Sequence, residues 1–341
     1  MNAIDILPEE FIERINKIIP KDLFPEALHS FTVRKPSTFR TNTLKITTDA
    51  LKQELQKRNI PFQEVSWYKH AFILDMYPQK LLSDTDLYTD GKLYIQSLSS
   101  MIPSLIMDPH QNEKILDLTA APGSKTTQLA MMLQNSGEIV ANDISRVRLY
   151  KLEANLRIQG VTNTKIVNIP GEFLWRKYPE YFDKALVDVP CTLEGRFYTE
   201  DPKSYKDWTP KKVKILAEKQ RYLLRSAINA TKPGGLIVYS TCTLEPDENE
   251  GVIDWILKKA NGAVVLESIA LSIDGMYEGI KEWNNKIYDE TITKTKRILP
   301  SVQMEGFFVA SLRKTTSQFI GESEDASVSP FFRKKKLKKR R

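Results

Sequence analysis

Cysteine and histidine are scarce in this chain of 341 residues, which has two cysteines, Cys191 and Cys242, and three histidines, at 29, 70 and 110. Two thiols make no disulfide framework. A zinc site needs about four ligands, and no histidine stands near either cysteine in the sequence, so no metal is expected. Long apolar runs are missing as well. No stretch approaches the ~18 residues of a membrane span, and the opening MNAIDILPEEF lacks the basic and apolar pattern of a secretory leader. The expectation is a cytoplasmic protein with reduced thiols, no membrane partner and a monomeric state.

Basic charge is also sparser than it first looks. The net charge is +7, but the tail RKKKLKKRR at 333–341 holds eight Lys and Arg and no acid, which leaves the rest of the chain at −1. Any nucleic-acid surface on the body must therefore be a local patch. Two segments are candidates. One carries Arg34, Lys35, Arg40, Lys45, Lys52, Lys57 and Arg58; the other carries Lys203, Lys206, Lys211, Lys212, Lys214 and Lys219.

What the chain does have is core, with 41% hydrophobic residues, ordinary for a packed domain. Between 111 and 314, KILDL, EIVANDI, TKIVN, KALVDV, LIVYST, AVVLES and FFVASL read as strands too apolar to have one wet face. Helical patterns separate them. Val213, Leu216, Ala217, Leu223, Leu224, Ala227 and Ile228 follow the 3.6-residue period, and PGG at 233–235 is expected to end that helix. The pattern predicts a doubly wound α/β domain over 111–314. Residues 1–110 form a smaller α+β region. Residues 315–332, rich in Ser, Thr and acids, read as a flexible linker to the basic tail.

The first βα turn, LDLTAAPGSKTTQLA, carries chemistry. Ala120, Ala121 and Gly123 allow close approach to the backbone, and a helix beginning near Ser124 presents free N–H groups to an anionic group. It is neither GxGxxG nor a phosphate loop. The next strand ends in VANDIS, which puts Asp143 roughly twenty residues after Gly123, where a carboxylate suits the hydroxyls of a ribose. A ligand with a carboxylate at one end and a ribose at the other is S-adenosylmethionine. A tight packing turn and an N-cap aspartate are the plainer readings of the same residues.

Cys191 and Cys242 follow the strands KALVDV and LIVYST, so both should face the cleft outside the strands' carboxyl ends. A free cysteine is usually a small buried apolar residue. Here the neighbours Asp188, Pro190, Ser240 and Thr241 are polar or bend the chain. A thiol beside a methyl donor suits covalent catalysis on carbon 5 of cytosine, which becomes nucleophilic once a thiolate adds at carbon 6. Asp188 suits a hydrogen bond at ring nitrogen 3. One thiol would attack and the other assist release. Holding the base in place is worth effective molarities of about 10⁵ or more, so cleft shape should outweigh tuning of the thiol.

These segments resemble the Nol/Nop/Sun (RsmB/NOP-type) group of RNA cytosine-5 methyltransferases. The likeness runs from RTNTLK at 40 through DGKLYIQSLSS, LDLTAAPGSKTTQLA, VANDISRVR, DVPCT and PGGLIVYSTCTLEPDENE to RILPSVQMEGFFVASLRK. It implies a class I, Rossmann-like methyltransferase with a small N-terminal RNA-binding region, and an rRNA or tRNA partner. It also implies Cys242 as nucleophile, Cys191 as the residue aiding release, and Asp188 and Lys125 lining the base pocket. Asp143 and Arg148 would hold S-adenosylmethionine, with Asp188 and the turn Ala120, Ala121, Pro122, Gly123, Ser124 and Lys125. The group usually has Cys and Gly where this chain has Thr119 and Ser124. The acid expected at the adenine is replaced by Ile169, Pro170 and Gly171, with Glu172 next in line. Two alternatives remain at this stage. One is a non-catalytic RNA-binding assembly factor that keeps the fold; the other is a thiol oxidoreductase, which lacks CxxC spacing.

Overall fold

The structure, a computed structural model, describes residues 6–74 and 77–321. The basic tail and the expected linker from 322 onward lie outside the described residues. The chain begins with helices α1 (Glu9–Ile18) and α2 (Phe24–Ser30). Next comes a small antiparallel sheet of β1 (Thr38–Thr41), β2 (Phe62–Glu64), β3 (Ala71–Leu74) and β4 (Leu93–Ile95), ordered β2-β3-β1-β4. Helices α3 (Thr48–Lys57), α4 (Gln79–Ser83) and α5 (Asp86–Thr89) connect its strands, and α6 (Leu98–Met107) leads out of it. Thr47 caps α3 by accepting from Ala50 N, and Leu51 and Leu55, one turn apart, bury its inner face against Phe39 and Phe72.

The large sheet is built on β5 (Lys114–Asp117), β6 (Glu138–Asn142), β7 (Thr164–Val167), β8 (Phe182–Asp188) and β9 (Thr231–Thr241), which are parallel in the order β7-β6-β5-β8-β9. Helices α7 (Ser124–Met132), α8 (Arg146–Gln159), α9 (Pro210–Ala230) and α10 (Glu250–Ala260) alternate with the strands. Later strands β10 (Val264–Glu267), β11 (Met276–Glu278), β14 (Lys296–Ile298) and β15 (Phe307–Lys314) add an antiparallel edge, and β12 (Glu282–Trp283) pairs with β13 (Lys286–Ile287) apart from it. The strand order turns around between β5 and β8, so the cleft opens at their carboxyl ends.

Period-2 alternation sorts the core to the two faces. Ala185, Val187, Ile237, Tyr239, Phe308 and Ala310 pack on one face with α9 and α10. Leu186, Leu236, Val238, Phe307 and Val309 pack on the other with α6 and α7. The PGG segment differs from expectation. The long helix ends at Ala230, and β9 starts at Thr231 and continues through Pro233. Thr231 pairs with Phe182 and Leu236 with Lys184, so the PGG residues loop out as a bulge within the strand rather than stopping the helix.

The segments flanking the small sheet pack into the large one. Phe11 of α1 sits with Phe31, Phe197 and Trp208 at ring distances of 5.6, 4.7 and 5.9 Å, on the α9 face. Leu98, Met101 and Ile102 of α6 cover the other. The first residues expected as linker also dock: Ile320 is buried and exchanges hydrogen bonds with the Asn229 side chain.

One residue of the first expected basic patch is not on the surface, and three others are neutralised there. Arg40 is wholly buried, donating to Gln96 Oε1 at 2.9 Å, Thr127 Oγ1 at 2.7 Å and the Ser124 carbonyl at 3.3 Å, and it ties β1 to the start of α7. Burial lowers its pKa to about 10. Lys52 pairs with Glu64, Lys57 with Glu54 and Arg58 with Asp86, so opposite charges nearby cancel them. The six lysines of the 203–219 segment, in contrast, have no ion pair among the described residues.

Candidate active site

The turn after β5 enters α7 through Gly123, whose φ of 109° lies in the left-handed region. Any side chain there would be strained and would also meet Leu152 Cδ1 at 2.8 Å. Asp143, 2% exposed, follows β6; its Oδ1 accepts from Ser145 N at 2.8 Å. Its Oδ2 stands 3.1 Å from Arg148 Nη1 and accepts no aligned hydrogen bond, while Arg148 Nη2 donates to the Ala121 carbonyl. The same cavity is lined by Glu172, 8% exposed, which has no hydrogen-bond or ion-pair partner among the described residues. An under-used buried carboxylate and an unpartnered one at the same cavity fit a ligand with hydroxyl and amino donors, as an adenosyl group is.

The loops that carry the two thiols are zipped together. Gly195 N donates to the Cys242 carbonyl at 3.1 Å, Gly306 N donates to the Gly195 carbonyl at 3.0 Å, and Thr192 and Thr243 hydroxyls meet at 2.9 Å. A Cβ on Gly195 would lie 1.9 Å from the Gly306 oxygen, which is why glycine stands there. Three buried acids brace the same loops. Glu194 accepts from Trp208 Nε1 and Leu244 N, Glu245 takes a bidentate pair from Arg14 of α1, and Glu248 accepts from Thr192 and Gln220. These braces bring Cys191 Sγ and Cys242 Sγ to 3.3 Å, both as free thiols.

The thiols are not equivalent. Cys242 lines the cavity, whereas Cys191 is buried behind it at 7% exposure. The hydrogen bond with Cys242, together with burial, holds the Cys191 thiol well above its ordinary pKa, so it stays protonated at neutral pH. Asp188, at the end of β8, accepts from Lys125 Nζ at 2.7 Å and from Ser240 Oγ at 2.8 Å, and Lys125 also donates to Ser100 Oγ at 2.8 Å. One cavity of about 520 Å³ holds Lys125, Asp188 and Cys242 together with Ala121, Pro122, Ser124, Asp143 and Arg148. Ala120 and Gly123 shape the turn beneath it without lining it. Ser100, Arg196, Glu305 and Phe307 also line it. None of these four is singled out by the sequence as a site residue, although Ser100, Glu305 and Phe307 fall in segments that carry the family likeness, because only folding brings such distant segments to one cavity.

Two buried acids near the thiols and the turn set a pH dependence. Burial pushes Asp117 up to about 7 and Glu248 up to about 8. Above the ordinary carboxyl range of about 4, the unfolded chain has lost protons that the folded one keeps, so stability falls as pH rises towards these values, by about 1.4 kcal/mol per pH unit for a fully buried group. Asp117→Asn retains an acceptor for Thr126 and removes the titration. Thermal melts should show its advantage over the unsubstituted protein growing from pH 5 to pH 7 and levelling above. An equal difference at every pH would show that Asp117 ionises normally.

A doubly wound sheet whose switch-point cleft is lined by a small-residue turn and by an aspartate ending the next strand is that of a class I, S-adenosylmethionine-dependent methyltransferase, here with two thiols at the same edge. The profile of the 16S rRNA methyltransferase RsmB/F family matches residues 104–313, and that of the N-terminal domain of 16S rRNA methyltransferase RsmF matches residues 7–98. The chain belongs to the RsmB/F family. It is 37% identical to the ribosomal RNA small subunit methyltransferase F of Shewanella amazonensis, over 95% of this chain and 68% of that protein. Against the protein of that name from Pectobacterium atrosepticum it is 37% identical, over 91% of this chain and 63% of the relative. This chain therefore spans about two thirds of the length of such relatives. A solved methyltransferase homologue from Pyrococcus horikoshii superimposes with a TM-score of 0.75 at 31% identity, covering 90% of this chain and 100% of that one.

Proposed function

We propose that the protein methylates carbon 5 of a cytosine in small-subunit ribosomal RNA, using S-adenosylmethionine. The observation that carries this reading is the single cavity in which Cys242, the Lys125–Asp188 pair and Asp143 meet. Bound there, S-adenosylmethionine supplies an electrophilic methyl group. Asp143, with Arg148 beside it, would take the ribose hydroxyls, the Ala121–Ser124 turn and the start of α7 would face the carboxylate end, and Glu172 would face the adenine amino group from its buried position.

The chain's own residues then act on the base. Cys242 Sγ forms a bond to carbon 6, and the ring electrons move towards carbon 5 and nitrogen 3. Asp188, oriented by Lys125 and Ser240, would relay a proton from the Lys125 ammonium to nitrogen 3 as negative charge builds there, so the adduct stays neutral at the ring. Once the methyl has moved from the donor sulfonium to carbon 5, a base takes the carbon 5 proton, the carbon 5–carbon 6 double bond re-forms, the Cys242 thiolate leaves, and nitrogen 3 returns its proton to the Lys125–Asp188 pair. Cys191, protonated and 3.3 Å away, is placed to hydrogen-bond that departing sulfur. The target base must be unstacked to enter, which favours a loop or open junction over continuous duplex. The unpaired lysines at 203–219 provide a backbone-binding surface beside the cavity, which Lys219 itself lines.

Methyl-labelled S-adenosylmethionine should transfer label to deproteinised 16S rRNA or to isolated small subunits, and digestion should recover it as 5-methylcytosine. Label recovered in another base, or in no RNA, rejects the reading.

A further inference from the structure

Beside the cavity of Cys242 lies a second one of about 370 Å³. The two share a wall made of Ile95, Gln96, Ser97, Arg196 and Glu305. We propose that this second cavity is the subsite for the nucleotide next to the target cytidine, with Arg34 and Arg196 taking backbone phosphates and the Gln79 and Gln303 amides facing the base edge. The inference rests on the RNA reading above.

The first argument is connectivity. A base turned into the catalytic cavity keeps its sugar bonded to a phosphate on each side, so the chain must cross the rim, and on this side the rim is the shared wall. Charge is the second. Arg196 pairs with Glu305, Nε standing 3.2 Å from Oε1, and its guanidinium has no other hydrogen-bond or ion-pair partner among the described residues. Arg34 is exposed and has no ion pair among them. Lys35 does a different job. It donates to the Ser30 carbonyl at 2.7 Å and to the Ser301 carbonyl, so it holds opposite walls together and leaves ligand binding to the two arginines.

The third argument is surface chemistry. Ser37 Oγ donates to Gln79 Oε1 at 3.0 Å, which orients that amide and leaves its nitrogen available, and the exposed Gln303 side chain has no partner among the described residues. Val33, Pro36 and Leu98 add an apolar patch. Guanidinium planes, amides and apolar surface in one groove match how unstacked nucleotides are bound, with phosphates taken by cations and bases stacked and read at their edges.

Arg34→Glu and the double variant Gln79→Ala/Gln303→Ala change exposed side chains, so both should fold. The probe is a short fluorescein-labelled single-stranded RNA of mixed sequence, titrated by anisotropy at several salt concentrations. Arg34→Glu should weaken binding roughly tenfold at low salt and reduce the salt slope by about one. The amide variant should raise KM on 16S rRNA several-fold with little change in kcat. Calorimetry should give the wild-type affinity for S-adenosylmethionine in both. An unchanged RNA affinity and salt slope in Arg34→Glu, with wild type binding RNA and transferring methyl, removes the subsite and leaves the enzyme reading intact. A wild type that neither binds RNA nor methylates it removes both.

Discussion

Cys242→Ala should lose methyl transfer by about 10⁴-fold or more, whereas Cys191→Ala should accumulate a covalent protein–RNA adduct that persists through denaturing electrophoresis. The expectation follows from the difference between the two sulfurs. Cys242 borders the cavity and so can reach carbon 6 of a base held there. Cys191 is buried and does not line it; with its proton held by the Cys242 contact and by burial it is a poor nucleophile that still carries an S–H directed at the Cys242 sulfur. Removing the donor slows departure of the Cys242 sulfur and leaves its attack possible. An adduct in Cys242→Ala and none in Cys191→Ala would exchange the two roles. The 3.3 Å separation also puts the thiols within reach of a disulfide, so the assay belongs in reducing buffer.

Asp188→Asn should lower kcat by about 10² to 10⁴ and leave S-adenosylmethionine binding within a few-fold of wild type. The amide preserves the side chain's volume and an acceptor for Ser240. It removes the carboxyl that pairs with Lys125 and can pass a proton to ring nitrogen 3. In the Cys191→Ala background this change should prevent adduct formation, because nitrogen 3 no longer receives a proton as the electrons of the attack move onto the ring. Adduct forming as fast as with Asp188 intact would show that the carboxylate is not engaged in that step. Lys125 is nearly buried, and with its anion gone it keeps only Ser100, so a stability loss is expected as well. Thermal melts separate this from the catalytic effect, since a folded variant with normal cofactor affinity has lost chemistry alone.

How legible the site was depended on how local its signals are. A strand running into a small-residue turn, a strand ending in Asp143, and two strands each ending near a cysteine are all short-range patterns. With the rule that ligands gather at the carboxyl ends of a doubly wound sheet, they converge on one cleft. Glu172 could be noticed beside the missing adenine acid, but only the burial of its unpartnered carboxyl gives that position weight. Charge was the least legible property. Arg40 looks like a surface cation in the sequence, and the fold buries it as a strut between β1 and α7. Its partners Gln96 and Thr127 lie 56 and 87 residues away, a separation at which local pattern says nothing.

The sequence by itself determined the strand and helix alternation and the identity of the reactive groups, because periodicity and residue chemistry act over a few positions. Tertiary structure alone decided which groups meet. It brought together Ser100, Asp188 and Lys125, packed α1 against the loop after Cys242 through Arg14 and Glu245, and put one thiol at the cavity and the other behind it. The physical reason is that burial and distance set the protonation and reach of a side chain, and both depend on neighbours that the chain supplies only after it has folded.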